Sequence, residues 1–163
     1  MTDAFAKNHQ AEIRRDHADG AVLFRGPNLS VRVAVLMPGV VLVSAQGEVV
    51  GAEDASAETA AFAEFERELE RAGTLTLFAD LRKSPRLPAA SREKIAQWAR
   101  RHRARLLPSH VLVQSKLIEM AMSILTMLVG GGVFEIHTTQ APFFDLVKKV
   151  APKLTGLPDV PER

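Results

Sequence analysis

The stretch that decides the fold is residues 115–129, which read SKLIEMAMSILTMLV. Its polar side chains, at Glu119, Ser123 and Thr126, share one narrow strip when the chain turns about 100° per residue, as in an amphipathic helix. The face opposite this strip, which we expect to pack on a sheet, consists of Leu117, Ala121, Ile124, Leu125 and Leu128. Further apolar side chains occupy both flanks, with Ile118, Met122 and Val129 on one and Met120 and Met127 on the other. Because one sheet-facing stripe needs fewer apolar residues, we expect neighbouring helices, a ligand or another chain to cover these flanks.

Predicted strands lie on both sides of this helix. Residues 110–114 (HVLVQ) precede it, and residues 133–136 (VFEI) follow the three glycines at 130–132 that stop it. A strand, a helix and a strand in succession predict parallel strands joined by a crossover. A last helix, with Pro142 in its first turn, is indicated by the spacing of Phe143, Leu146, Val147 and Val150.

The chain before this unit predicts three strands, then a helix, a strand and a second helix. The three strands, over 21–25, 31–36 and 40–45, are joined by loops too short for crossovers and are therefore antiparallel. Helical spacing follows over 54–72 and again over 91–106, on either side of a strand. We therefore predict an α/β fold with a mixed sheet, antiparallel at the N-terminal end and parallel at the C-terminal end, and about four helices. The predicted organisation is a flexible arm over 1–19, a single domain over 20–152 and a loosely ordered tail over 153–163.

Composition excludes several classes of function. The 163 residues include no cysteine, which excludes disulfides, thiolate metal sites and cysteine nucleophiles. The formal net charge is only +2, a weak basis for nucleic-acid binding. The apolar run at 117–129 is too short for a membrane span and contains Glu119, and the polar first twenty residues do not resemble a signal peptide. We expect a cytoplasmic protein that binds no nucleic acid and has no membrane span.

Two predicted strands carry a resemblance to a known family. Residues 41–49 (VLVSAQGEV) and 76–81 (TLFADL), with the order of elements from 31 to 150, resemble the STAS fold and especially its SpoIIAA-like branch, the bacterial anti-sigma-factor antagonists. The resemblance implies a non-enzymatic regulatory module that binds a protein or a small ligand. Members of that branch carry an Asp-Ser-Ser/Thr-Gly signature at the start of the next helix, where a serine is phosphorylated. The corresponding residues here, 87–92 (LPAASR), hold only Ser91.

Basic residues surround two serines near the start of that helix. Ser84 and Ser91 are possible phospho-acceptors, because a phosphate there would gain charge-assisted hydrogen bonds and the positive end of the helix dipole. The alternative is that Ser91 caps the helix and Ser84 is an ordinary loop residue. The basic side chains of this segment, a possible anion-binding site, are Arg82, Lys83, Arg86 and Arg92.

The other clusters of polar residues do not indicate a catalytic or metal-binding site. Four arginines within 100–105 predict a solvated basic face near a helix end, with an acidic protein partner as the alternative. His110 and His137 are expected at opposite ends of different strands, so the histidines predict no metal site. No motif brings a serine, a histidine and a carboxylate together. We expect no catalytic residues, no metal and no cofactor.

Two functional hypotheses remain. In the first, a protein partner or a second copy of the chain binds the helix flanks and the loop edge over 81–91. The partner-binding residues would then be Ile118, Met120, Met122, Met127 and Val129. In the second, a small anionic ligand or a lipid occupies a pocket, with the basic residues of 82–92 holding its head group. That pocket would be lined by Met120, Met122, Met127, Trp98 and Phe143. Ordinary core packing is the alternative explanation for the methionines.

Overall fold

The fold is taken from a computed structural model, which describes residues 11–15 and 19–161. The strands are β1 (Glu12–Arg15), β2 (Val22–Arg25), β3 (Leu29–Met37), β4 (Val40–Gly47), β5 (Thr76–Lys83), β6 (Ser109–Leu112) and β7 (Phe134–His137). The helices are α1 (Ala52–Ala72), α2 (Ala89–Arg101), α3 (Lys116–Leu128) and α4 (Gln140–Val150), with one turn of 3-10 helix at Arg103–Arg105.

All seven strands form one sheet, in the order in which they occur along the chain. β1 to β4 pair antiparallel, and β4 to β7 pair parallel, each parallel strand being reached through a helix. The predicted fold class, a mixed sheet with an antiparallel start, a parallel end and four helices, is confirmed.

The sheet has two unequally covered faces, because side chains alternate along each strand. α1, α2 and α3 cover one face, where Val41, Val43 and Leu77 belong to the largest buried cluster and Val111 packs with residues of α3. α4 and the chain that follows it cover the other face, around Leu42, Phe78, Leu112, Phe143 and Val147.

Both ends of the described chain differ from the sequence expectation. β1 lies inside the predicted arm and pairs with β2, while residues 1–10 and 16–18 of that arm lie outside the described residues. The tail over 153–161 has no regular secondary structure, yet it is held against the sheet. Val160 is buried, the Ser44 hydroxyl donates a hydrogen bond to the carbonyl of Pro158 at 3.3 Å, and Lys83 pairs with Asp159 at 2.9 Å.

The end of β5 also differs from the prediction, which placed residues 81–91 at a loop edge. The strand continues to Lys83, past a shift in its register with β4 between Ser44 and Gln46. Arg82 and Lys83 therefore lie in a strand and not in a loop. Of the helices within 11–15 and 19–161, none combines the length and the apolar character that a bilayer crossing requires.

Candidate functional site

Helix α3 packs on the sheet with a different face from the predicted one. Ile118, Met122 and Val129, which were expected on a flank, are buried beneath the helix. The side chains expected to face the sheet include Leu117, Ile124 and Leu128, and these three are exposed. Ala121 and Leu125, predicted on the same face, are buried as expected. The buried face is therefore rotated by roughly 70° from the predicted one. As buried residues, Ile118, Met122 and Val129 cannot contact a partner at the surface, so this part of the predicted partner-binding set needs correction.

The exposed side of α3 carries five large apolar side chains, which we call the α3 stripe: Leu117, Met120, Ile124, Met127 and Leu128. Leu117, Met120 and Met127 are 63%, 60% and 73% exposed. A shallow groove beside the stripe is lined by Lys116, Glu119, Met120, Ser123 and Ile124. Five such side chains present on the order of several hundred Å², which is the size of a patch that marks an interaction site.

The two predicted phospho-acceptors are not at the surface. Ser91 is 2% exposed and Ser84 is buried, so neither hydroxyl is accessible to a kinase in this conformation. Ser91 does not cap α2 either, because the helix begins two residues earlier and its N-cap position is Pro88. Among the described residues, the Ser91 hydroxyl has no hydrogen-bond partner.

Three of the four predicted anion-binding side chains are already paired with carboxylates. Arg82 makes two hydrogen bonds to Asp80, at 2.9 and 2.7 Å, which raise the pKa of its guanidinium. Lys83 pairs with Asp159, and Arg86 makes a two-bond pair with Glu48 at 3.0 and 2.9 Å. The fourth, Arg92, is half-buried and makes one long hydrogen bond, 3.4 Å, to the carbonyl of Leu87.

An apolar cavity of about 140 Å³ lies between the sheet and helices α1, α2 and α3. Its aromatic and aliphatic walls include Phe62, Phe65, Trp98 and Ile95, and Ser91 also lines it. The indole N–H of Trp98, like the Ser91 hydroxyl, is buried and has no hydrogen-bond partner among the described residues. A wider opening of about 450 Å³, which we call the vestibule, adjoins it and shares the lining residues Glu48, Val49, Arg86, Leu87 and Pro88.

The structure does not bring the residues of the predicted pocket together. Trp98 and Met122 line the cavity, but Met120 and Met127 are exposed and Phe143 is buried on the opposite face of the sheet. Many of the other lining residues belong to α1 and to strands β3 to β5, for which the sequence predicted secondary structure but no binding role. No spacing in the sequence distinguishes a core residue that meets a neighbour from one that faces a gap.

The arginines near the end of α2 bind the C-terminal ends of two other helices. Arg105 donates to the carbonyls of Gly73 and Leu69 at the end of α1, at 2.9 and 2.7 Å. Arg100 donates twice to the carbonyl of Leu128 at the end of α3, at 3.1 and 3.0 Å. Carbonyls at the C-terminal end of a helix attract cations, and the Leu69 carbonyl accepts from Arg105 in addition to the N–H of Gly73. A structural role thus accounts for Arg100 and Arg105.

Two histidines meet on the sheet face that carries α4, contrary to the sequence expectation. Nδ1 of His110 and Nε2 of His137 are 3.1 Å apart, and a carboxylate oxygen of Glu135 lies 3.4 Å from the His110 nitrogen. They meet because β6 and β7 pair His110 with Glu135, two residues from His137 on the same strand. Burial is the main cause that lowers the pKa of His110, while the nearby carboxylate of Glu135 opposes this shift. Each of these three side chains offers one atom that could bind a metal ion. Among the described residues, this is the group whose ligand atoms lie close enough to hold one, all within 4.8 Å of one another.

Comparison with known proteins adds no family to this picture, since no family model and no curated protein matches the chain.

Proposed function

We propose that this chain is a non-catalytic, cytoplasmic interaction module of STAS-like fold that associates with a second copy of itself through the α3 stripe. The observation that carries the proposal is the exposure of five large apolar side chains on one helix whose other face is already used for packing. Leaving such side chains in water costs free energy that association would recover, at about 25 cal/mol per Å² buried.

The spacing of the stripe fits another helix. Leu117, Met120, Ile124 and Met127 stand at i, i+3, i+7 and i+10, which is the repeat of a seam between two packed helices. The groove beside Met120 and Ile124 offers a recess into which one side chain of a facing helix can insert.

The symmetry of the stripe favours a second copy over an unrelated partner. In an antiparallel pair about a two-fold axis that passes between Met120 and Ile124, Leu117 would meet Met127 of the other copy, and Met120 would meet Ile124. Ser123, beside the stripe, is small and exposed, so it does not obstruct a facing helix. Lys116 and Glu119, at the edge of the stripe, pair with each other at 2.8 Å and leave no uncompensated charge to oppose association.

The test compares two matched variants by sedimentation equilibrium at tens of micromolar. Ile124→Glu places a charge inside the proposed interface and should weaken association by at least about 100-fold, because an unpaired buried carboxylate is strongly unfavourable. Leu107→Glu is the control, since Leu107 is as exposed as Ile124, at 46% against 45%, but lies outside α3. Circular dichroism should report an unchanged fold for both.

A wild-type protein that sediments as a monomer throughout this range would contradict the proposal. Equal weakening by Leu107→Glu would show that association uses another surface. A third outcome would also overturn self-association: the wild type is a monomer but forms a stoichiometric complex with a different protein, and Ile124→Glu abolishes that complex. The stripe would then bind a heterologous partner.

A further inference from the structure

Three side chains that can bind a metal ion meet where β6 and β7 pair. His110 on β6 lies opposite Glu135 on β7, so both side chains point to the same face of the sheet. His137 comes two residues after Glu135 on the same strand and therefore shares this face, where it contacts Phe143 of α4. The register of two neighbouring strands thus brings the three side chains together.

The distances within this group, which we call the His–Glu cluster, fit a single metal ion. Nδ1 of His110 lies 3.1 Å from Nε2 of His137. One carboxylate oxygen of Glu135 lies 3.4 Å from the first nitrogen, and the other lies 3.8 Å from the second. A tetrahedral ion with bonds of about 2.0 to 2.1 Å holds its ligand atoms about 3.3 Å apart. The three side chains already have nearly this spacing, so an ion can enter after small side-chain rotations.

The packing around the His–Glu cluster fixes both imidazole rings. The His110 ring stacks on Phe78, with centroids 5.1 Å apart and planes inclined by 17°, and His137 meets Phe143 at a centroid distance of 5.8 Å. The side chains of the two histidines are 14% and 10% exposed, whereas that of Glu135 is 64% exposed. The core therefore holds two ligands in place, and the third is free to close on an ion from the solvent side. Such preorganisation reduces the entropy that binding costs.

A hydrogen bond between the rings does not account for the whole cluster. Two imidazole nitrogens this close share a proton or a metal ion, because two facing lone pairs repel each other. Two neutral rings place one proton between them, and the Glu135 carboxylate then accepts no hydrogen bond from any described residue. A divalent ion binds both rings and the carboxylate at once, and it compensates for the burial of two polar rings beside Phe78 and Phe143.

The donor atoms determine which metal fits. Two imidazole nitrogens and one carboxylate oxygen, with a fourth position left for water, are a donor set of zinc sites. At a given site of nitrogen and oxygen ligands, Zn²⁺ binds more tightly than Mn²⁺ or Fe²⁺. Mg²⁺ and Ca²⁺ prefer oxygen ligands alone, so a single carboxylate does not suffice for them.

We propose that the His–Glu cluster is a mononuclear Zn²⁺ site. The ion binds Nδ1 of His110, Nε2 of His137 and the carboxylate of Glu135. Its fourth position opens to solvent on the Glu135 side, where a water molecule or a small anion completes the coordination. The site uses no residue of the α3 stripe, so it goes beyond the proposed self-association and is tested separately from it.

The test titrates the untagged chain with metal salts. Isothermal titration calorimetry with ZnCl₂ should give one ion per chain and a Kd of about 1 μM, weaker than a four-ligand structural site because three side chains contribute. MgCl₂ at the same concentrations should give no binding heat. Co²⁺ replaces Zn²⁺ as a visible probe, and its absorption bands should be those of a four-coordinate ion and should shift when azide takes the open position.

Two variants locate the ion, and each has a matched control. Glu135→Gln and His137→Gln should each weaken Zn²⁺ binding by more than about 100-fold, because even the loss of an outer-shell partner costs about 10- to 100-fold. Glu93→Gln changes an exposed carboxylate on α2, and His102→Gln changes a histidine that is 15% exposed and paired with Glu66. Both controls should bind Zn²⁺ as the wild type does. Because Glu135 is exposed, its variant tests the site without disturbing the core.

Three results would overturn the proposal. The first is a wild-type protein that binds neither Zn²⁺ nor Co²⁺ at millimolar concentration. The second is undiminished Zn²⁺ binding by Glu135→Gln and His137→Gln, which would place the ion on other residues. The third is a Co²⁺ spectrum that does not respond to azide, which would indicate a fourth ligand from the protein.

Discussion

At the scale of single residues, Asp54 holds three segments of the chain together. Its carboxylate accepts hydrogen bonds from the backbone N–H groups of Asn28 and Leu29, which follow β2, and from those of Val50 and Gly51, which precede α1. It is fully buried, and Gly26 approaches so closely that a Cβ there would lie 2.6 Å from the Cα of Asp54. The vestibule residues Val49 and Val50 are positioned through this carboxylate.

We expect Asp54→Asn to lower the free energy of unfolding by about 3 kcal/mol, because the amide presents N–H donors to a cluster of N–H donors. Urea denaturation at neutral pH measures this loss. Asp145→Asn, which changes an exposed carboxylate on α4, is the matched control and should stay within about 0.5 kcal/mol of the wild type. Equal stability of the two variants would contradict a structural role for Asp54.

The pKa of Asp54 determines how the stability loss in Asp54→Asn depends on pH. Burial alone raises the pKa of Asp54, but hydrogen bonds from Asn28, Val50 and Gly51 outweigh it and hold the pKa below 3.8. A carboxyl whose pKa is lower in the folded state contributes its stability above its unfolded pKa and loses it as the pH falls toward the folded value. The difference in unfolding free energy between wild type and Asp54→Asn should therefore shrink as the pH falls below the unfolded pKa of about 3.9. A difference that stays constant with pH would exclude this linkage.

Residue identity alone could not decide which loop side chains are available for binding. The sequence predicted a group of four basic side chains, and it could not reveal that Arg86 is paired with Glu48 while Arg92 is left without a carboxylate. These pairings depend on strand register and on loops that meet only after folding. For the same reason, Ser91 was correctly placed near the start of α2 but wrongly expected at its surface.

At the scale of elements, α3 was located within one residue at each end, but its buried face was predicted only in part. Ala121 and Leu125 are buried as expected, whereas Leu117, Ile124 and Leu128 are exposed. Its polar strip is narrow, and nearly all of its other positions are apolar, so two neighbouring faces are equally able to pack on the sheet. The choice between them depends on the strands beneath, where Val111 and Val113 contact the side that carries Ile118 and Met122. Hydrophobic periodicity identifies a helix, but for a helix apolar on two sides it does not identify the buried one.

The turn after α2 stabilises a helix that is distant in sequence. Arg105 binds the carbonyls at the end of α1, so we expect Arg105→Ala to lower the free energy of unfolding by about 1 to 2 kcal/mol. Arg101→Ala removes an exposed arginine that makes no hydrogen bond or ion pair with the described residues, and it should change stability by less than about 0.5 kcal/mol. Thermal denaturation of both variants in one buffer tests this difference. Similar losses in the two would mean that the basic segment acts through its net charge.

At the scale of the whole molecule, the order of elements was sufficient to predict the mixed sheet. Short connections require antiparallel neighbours and helical connections allow parallel ones, so the arrangement follows from loop lengths and periodicity. What covers each face was not predictable in the same way. The tail over 153–161 carries prolines and no period, yet Leu154 and Leu157 pack against the cluster around α4, and Val160 is buried.

The last prediction concerns this tail, because only α4 and the tail cover this face of the sheet among the described residues. A chain ending at residue 151 would uncover part of the cluster around Leu42 and Phe78 and remove the hydrogen bond from Ser44 to Pro158. Losing the burial of three apolar side chains should cost about 3 kcal/mol of unfolding free energy and increase binding of a hydrophobic dye. A chain ending at residue 161 is the control and should unfold at the wild-type urea concentration. If the chain ending at residue 151 also unfolds at the wild-type urea concentration, the tail contributes no stability, and α4 alone suffices to cover this face.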